Sequence, residues 1–198
     1  MAGFTNNSHT VLVSGFFGAL ASTLSMGAGA WLATKSEGEH QDREVELERQ
    51  EIADSPEHEM EECSMLYELK GFSAGEARAI AERIAQRPEA FLRVMSQEEL
   101  GVYEDAAGSP WMSAGIGAVS TFVGGIVPLI PFFFLSGLDG MAAAAVVSLL
   151  AHFAVGAAKT TVTARSWWKS GLEMTMAGVI VGVVSYGVGW LGTQVFHL

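Results

Sequence analysis

The chain has 198 residues, 49% of them hydrophobic and 17% charged, with 23 glycines, one cysteine and a formal net charge of −11. So apolar a composition excludes an ordinary soluble domain of this size and fits a bundle of membrane helices. The acidity points away from nucleic acid and toward cations, and the lone Cys63 excludes an intrachain disulfide and suits a reducing compartment.

A helix needs roughly 20 apolar residues to cross a bilayer core of about 30 Å. The first stretch of that length runs from about Thr10 to Ala33 without a charge and closes on the small residues Gly27-Ala28-Gly29-Ala30, which allow close helix packing. It has no basic n-region and no cleavage pattern before the charges begin, so it reads as a span and not as a signal peptide. The segment from Lys35 to Gly108 then holds 20 of the 22 acidic and 8 of the 11 basic residues. No Gly or Pro interrupts the chain between Gly38 and Asp54, which predicts that the first helix continues that far. Ser55-Pro56 marks a new start, with Ser55 as N-cap and Pro56 at the first helical position. That helix is expected to end near Gly71. Ser73-Ala74-Gly75-Glu76 reads as a capping box opening a helix to about Gln86, and Pro88 begins a fourth, expected over about 89–103.

The second span is predicted from about Pro110 to Leu138, with Gly124, Gly125, Pro128 and Pro131 implying a kinked helix in close contact with its neighbours. The third, about Gly140 to Ala158, is interrupted only by His152, and the fourth, about Gly171 to Phe196, carries Glu173 near its start. The remaining basic residues, Lys159, Arg165 and Lys169, lie between spans three and four. With four spans, all the Lys and Arg then fall on one face, a positive-inside pattern that places the charged segment in the cytoplasm. The expected organisation is an all-α membrane protein: residues 1–34 the first transmembrane helix, 35–108 a cytoplasmic acidic helical domain inserted between the first and second spans, and 109–198 a three-helix transmembrane region.

Within the acidic segment, Glu48, Glu51, Glu59 and Glu62 fall at spacings of three, eight and three. A spacing of three puts two carboxylates on one helical face, and two such pairs joined by a tight turn can aim at one point. Iron(II) and manganese(II) take several oxygen ligands and tolerate nitrogen, but a charge run is more often a solvated surface, and spacing alone leaves both readings open. Met95 and Glu99, four apart, offer a thioether beside a carboxylate, a pairing that favours transition metals over calcium or magnesium; a methionine at helical spacing is also ordinary core. Met26 in the first span reads either as packing or as a soft ligand on an ion path. His152 and Glu173 are intramembrane ionisable groups and so functional candidates, although Glu173 is placed to pair with Lys169 and His152 to hydrogen-bond a neighbouring helix. Glu37 and His40 make one Glu-x-x-His, without the second copy that a di-iron bundle needs, which argues against a ferritin-like oxidase. No nucleotide-binding glycine loop, zinc-binding Cys/His set or nucleophile triad is present, so the chain does not read as an enzyme.

The ordered combination of Ala19 to Gly29 (ALASTLSMGAG), the glutamate helices, Met95 to Gly101 (MSQEELG), Ser120 to Pro131 (STFVGGIVPLIP) and Gly182 to Gly192 resembles the vacuolar iron transporter family over nearly the whole chain. The resemblance implies a homodimer that moves Fe²⁺, and also Mn²⁺, out of the cytosol in exchange for protons. Zn²⁺ or Co²⁺ are further candidate ions, and no organic cofactor is implied. It assigns metal capture to Glu48, Glu51, Glu59, Glu62, Met95 and Glu99, and the membrane path to Met26. The membrane would be the vacuolar one in a eukaryote and the plasma or inner membrane in a bacterium. Two departures stand out. The family's first span, with its aspartate in the translocation path, has no counterpart in the residues before Thr10, which fits a truncated sequence, a first helix on a separate chain or a four-span variant alike, and Ala30 stands where the family usually has glutamate. The alternative is a membrane-anchored iron buffer or sensor that does not itself transport.

Overall fold

The computed structural model describes residues 7–103 and 108–195. Every element among them is helical: α1 (Ser8–Asp54), α2 (Pro56–Leu69), α3 (Ala74–Ala85), α4 (Pro88–Glu98), α5 (Pro110–Ile126), a 3-10 helix (Val127–Phe133), α6 (Gly137–Ala158), α7 (Thr160–Thr163) and α8 (Trp167–Val195). Four helical runs are long and apolar enough to cross a membrane: Ser8–Asp54, Pro110–Phe133, Gly137–Thr163 and Trp167–Gly192. The chain divides into two compact units, one of Met1–Gly27 with Gly115–Leu198 and one of Ala28–Ala114.

In the first unit, glycines decide how near the helices come. A Cβ on Gly156 would lie 2.4 Å from the Ser170 carbonyl oxygen, one on Gly171 2.6 Å from the Phe153 ring, and one on Gly178 2.8 Å from the His152 ring. α6 and α8 therefore touch through positions where only hydrogen fits, as expected where helices associate by packing rather than by the hydrophobic effect. Gly125 meets Ala19 in the same way, with an added Cβ only 2.9 Å from its methyl. Val11, Phe132 and Ala144 form a small buried cluster with Leu12 and Met141 packed on it. The long apolar side chains of α8, such as Ile180, Val183 and Leu191, point outward, the arrangement that a lipid solvent accepts.

The second span departs from a kinked α-helix. α5 stops at Ile126 and the chain continues as a 3-10 helix to Phe133, because Pro128 and Pro131 have no N–H to donate to the helical ladder. Residues 134–136 then separate it from α6, which opens on the left-handed Gly137 (φ +58°), before the expected Gly140. The expected end of the fourth span, Phe196, lies outside the described residues.

The second unit holds the rest of α1 and helices α2–α4. Cys63, Ala81, Phe91 and Met95 form its core, with Ile52, Met60, Leu66, Tyr67, Ile84 and Val94 packed around them. The charged half of α1 does continue to Asp54, and α2 starts at Pro56. Gly71 (φ +98°) closes α2, with its N–H on the Glu68 carbonyl at 2.9 Å. At the start of α3 the Glu76 carboxylate accepts from the Ser73 N–H at 3.0 Å and from its hydroxyl at 2.6 Å. α4 is shorter than the expected 89–103 and ends at Glu98. Gly101 (φ +67°) leaves the helical region there, and the Val102 N–H turns back onto the Ser96 carbonyl at 2.9 Å.

Candidate metal centre

The unbroken run of α1 carries Glu48 beyond the apolar stretch, the Ser55-Pro56 start returns the chain along α2, and Glu99 caps the end of α4 in the turn that leads to the left-handed Gly101. Three carboxylates from these elements meet. Oxygens of Glu48, Glu59 and Glu99 lie within 4.8 Å of one another. Glu48 is 2% exposed and Glu59 4%, while Glu99 faces solvent. Glu48 Oε1 and Glu59 Oε2 are buried without a hydrogen-bond partner. A buried, unpartnered carboxylate oxygen is costly, because desolvation is not offset by any bond.

The protonation chemistry records that cost. Burial first, then the charges of Glu99, Glu59, Glu51 and Glu62, push Glu48 up from 4.5 to about 7. Glu59 is raised by burial and then by Glu62, Glu99 and Glu51, against a smaller opposing effect of His58. Glu99, although exposed as a residue, has its carboxyl partly desolvated among its neighbours, and this, followed by the charges of Glu62 and Glu51, raises it. Two routes relieve such a cluster: protonation, or a cation between the oxygens.

The other residues singled out in the sequence take different places. Glu51 is exposed and Glu62 half-buried; both act on the three carboxylates through their charge, and the Glu62 carboxylate lies 3.6 Å from His58 Nε2. Met95, fully buried, sits one turn before Glu99 on α4 and belongs to the core of this unit. Cys63 shares that core. Burial, with a contribution from Glu98, pushes its thiol up to about 11, so at neutral pH it remains a protonated packing group. Met26 lies in the other unit and is exposed. Glu37 and His40 are exposed, with His40 Nδ1 3.7 Å from a Glu44 oxygen one turn on.

His152 does not reach across to another helix for its bond. Its Nδ1 donates to the Ser148 carbonyl of its own helix at 2.8 Å. Glu173 pairs with Arg165 at 3.8 Å and not with Lys169; a basic residue four positions before a glutamate is the weaker orientation for a helical pair. One contact was not singled out in the sequence. Lys70, at the end of α2, pairs with Glu98 and lies over the Tyr67 ring at 5.1 Å, tying the end of α2 to the turn that carries Glu99. Its only sequence signal is a basic residue between Leu69 and Gly71, far in the chain from its acidic partner.

Comparison with known proteins bears on the whole chain. The sequence model of the VIT family matches residues 1–190. Vacuolar iron transporter 2 of Oryza sativa subsp. japonica is 31% identical over 189 residues, covering 95% of this chain and 77% of the relative. Vacuolar iron transporter 1 of Eucalyptus grandis is 30% identical, over 95% of this chain and 76% of its own length. Vacuolar iron transporter 1 of Arabidopsis thaliana is 30% identical, over 94% and 75% respectively.

Proposed function

Since the chain belongs to the VIT family, we propose that it carries ferrous iron out of the cytosol across a membrane, the acidic helices of its second unit taking up the ion first. Residues 35–108 are then the cytoplasmic capture domain, between a first span within 1–34 and the three-helix region 109–198.

The observation that carries this reading is the pair of buried oxygens without partners, Glu48 Oε1 and Glu59 Oε2, gathered with Glu99. Hydrogen bonds do not satisfy them, so a divalent ion has ligands whose desolvation folding has already met. Glu51 and Glu62 deepen the negative potential and complete the capture set. Met95, one turn before Glu99 in the chain, completes the donor set in this reading: its thioether would tilt the preference toward Fe²⁺ and Mn²⁺ and away from Mg²⁺ and Ca²⁺. Zn²⁺ and Co²⁺ would suit the same donors. Because a carboxylic acid must lose its proton to ligate, capture and proton release are one event at Glu48 near pH 7. The proposal extends to exchange of the metal against protons across the membrane, to passage along a path that includes Met26, and to function as a homodimer.

The test is Fe²⁺ uptake into proteoliposomes under anaerobic conditions, with binding measured in parallel. Replacing Glu48, Glu51, Glu59 and Glu62 together by Gln should abolish binding and reduce uptake at low Fe²⁺. Unchanged binding would reject the assignment of the capture site. Binding without any uptake by the wild-type chain would reject transport.

A further inference from the structure

The stretch from Lys159 to Lys169 joins two membrane-length helices and is the one strongly basic part of an acidic chain. It contains Lys159, Arg165 and Lys169 and no Asp or Glu, against a net charge of −11 for the whole. Only Ala164, Arg165 and Ser166 separate the apolar runs Gly137–Thr163 and Trp167–Gly192. So short a connection cannot leave the bilayer surface. Whatever these cations meet, they meet at headgroup depth.

The corner is built, and its polar groups are sorted. The threonine hydroxyls turn inward: Thr160 donates to the Ala157 carbonyl at 2.6 Å, Thr161 to that of Ala158 at 2.9 Å and Thr163 to that of Lys159 at 3.1 Å. Ala164 in the left-handed region (φ 50°) reverses the chain. Phe153 of α6 stacks edge-on against both Trp167, at 6.1 Å, and Trp168, at 5.2 Å, in the space that Gly171 leaves open. What remains outward is Val162, 85% exposed, the half-exposed rings of Trp167 and Trp168, and the basic side chains. Arg165 is partly neutralised by Glu173 at 3.8 Å. Among the described residues Lys159 and Lys169 have no ionic partner.

We propose that this corner is a binding surface for acidic phospholipids, Lys159 and Lys169 taking the headgroup phosphate while Trp167, Trp168 and Val162 lie against the glycerol and upper acyl region. Tryptophan favours that depth because its ring is apolar with one polar edge. A basic residue near an anionic leaflet contributes about 1 kcal/mol, or about fivefold in affinity, and two lysines without an ionic partner at one corner act on the same headgroup layer. The inference depends on the membrane spans and not on the metal reading.

The reporters are already in place. In the full chain with Trp31, Trp111 and Trp190 replaced by Phe, reconstituted into mixed vesicles, quenching of Trp167 and Trp168 by brominated phosphatidylglycerol is compared with that by brominated phosphatidylcholine. The expected result is a preference of about fivefold or more for the anionic lipid, falling toward equality in K159Q/K169Q and in high salt. If the triple-Phe background does not fold, the same quantity is read as the difference between the wild-type chain and W167F/W168F. Equal quenching by the two lipids, or a preference that survives K159Q/K169Q, would overturn the proposal. So would its loss on adding inorganic phosphate at matched ionic strength, which would mark a site for free phosphate. Quenching that is weak with both lipids and rises in K159Q/K169Q would show that an acidic protein segment covers the corner instead.

Discussion

Metal binding to this chain should expel a proton, and the proton should come largely from Glu48. Its carboxyl, raised from 4.5 to about 7, carries about half a proton at pH 7, about 0.9 at pH 6 and about 0.1 at pH 8. A metal ion ligates only the carboxylate, so each ion bound displaces that fraction, and Glu59 and Glu99, also raised, add to it as the pH falls. Affinity should therefore drop toward tenfold per pH unit below 7, about 1.4 kcal/mol each, and level off above pH 8. The assay is calorimetric titration of the full-length protein in detergent with Mn²⁺, which does not oxidise in air. Repeating it in buffers of different ionisation enthalpy gives the proton number as a slope. In Glu48→Gln the residual binding should release fewer protons at pH 7 than binding to the wild-type chain. A proton number near zero at both pH 6 and pH 7, with affinity flat from pH 6 to 8, would refute the reasoning.

Other outcomes follow from the same packing and charge. Without metal, Glu48→Gln should stabilise the second unit at pH 8 by about 1–3 kcal/mol. A carboxyl raised on folding stabilises most below pH 4.5 and loses that stability as the pH rises toward 7; denaturant unfolding at pH 5 and pH 8 checks the sign. Glu59→Gln removes a charge that raises Glu48, so besides weakening Mn²⁺ binding it should shift the midpoint of the proton-release curve to lower pH. Met95→Leu conserves volume in a fully buried position and should cost less than about 1.5 kcal/mol of stability, while Fe²⁺ binding weakens more than Mg²⁺ binding in competition titrations. Gly156→Ala places a methyl 2.4 Å from the Ser170 carbonyl and should lower the thermal midpoint through an overpacking cost of about 1–3 kcal/mol. Met26→Ala should slow liposome flux and leave calorimetric Mn²⁺ binding unchanged.

Most of the helical plan is legible in the residues because charge and punctuation are segregated along this chain. Uncharged runs mark the membrane helices. The absence of Gly or Pro between Gly38 and Asp54 carries α1 past its apolar part, and Ser55-Pro56 and Gly71 bracket α2. What the residues leave open is settled by local backbone chemistry: Pro128 and Pro131 convert the end of the second span to a 3-10 helix, and Gly101 ends α4 early.

The candidate site is legible as a set of glutamates and not as a geometry. Residues three apart on a helix differ by about 60° around its axis, enough for one carboxylate to turn inward and the next outward. That is how Glu48 parts from Glu51 and Glu59 from Glu62 in burial. Which member of each pair turns in depends on the register of α2 against α1, and that is a property of the packed core around Cys63, Phe91 and Met95. The Lys70–Glu98 pair is invisible to spacing for the same reason, since its partners belong to different helices.

The claim at the centre is that Glu48, Glu59 and Glu99 hold the ion that the protein moves. Anomalous diffraction at the manganese edge, from crystals of the full chain soaked in Mn²⁺, tests it most directly. The expected result is a peak among those three carboxylates that disappears in Glu48→Gln/Glu59→Gln. A strong peak elsewhere in the chain, with none among these oxygens, would contradict it.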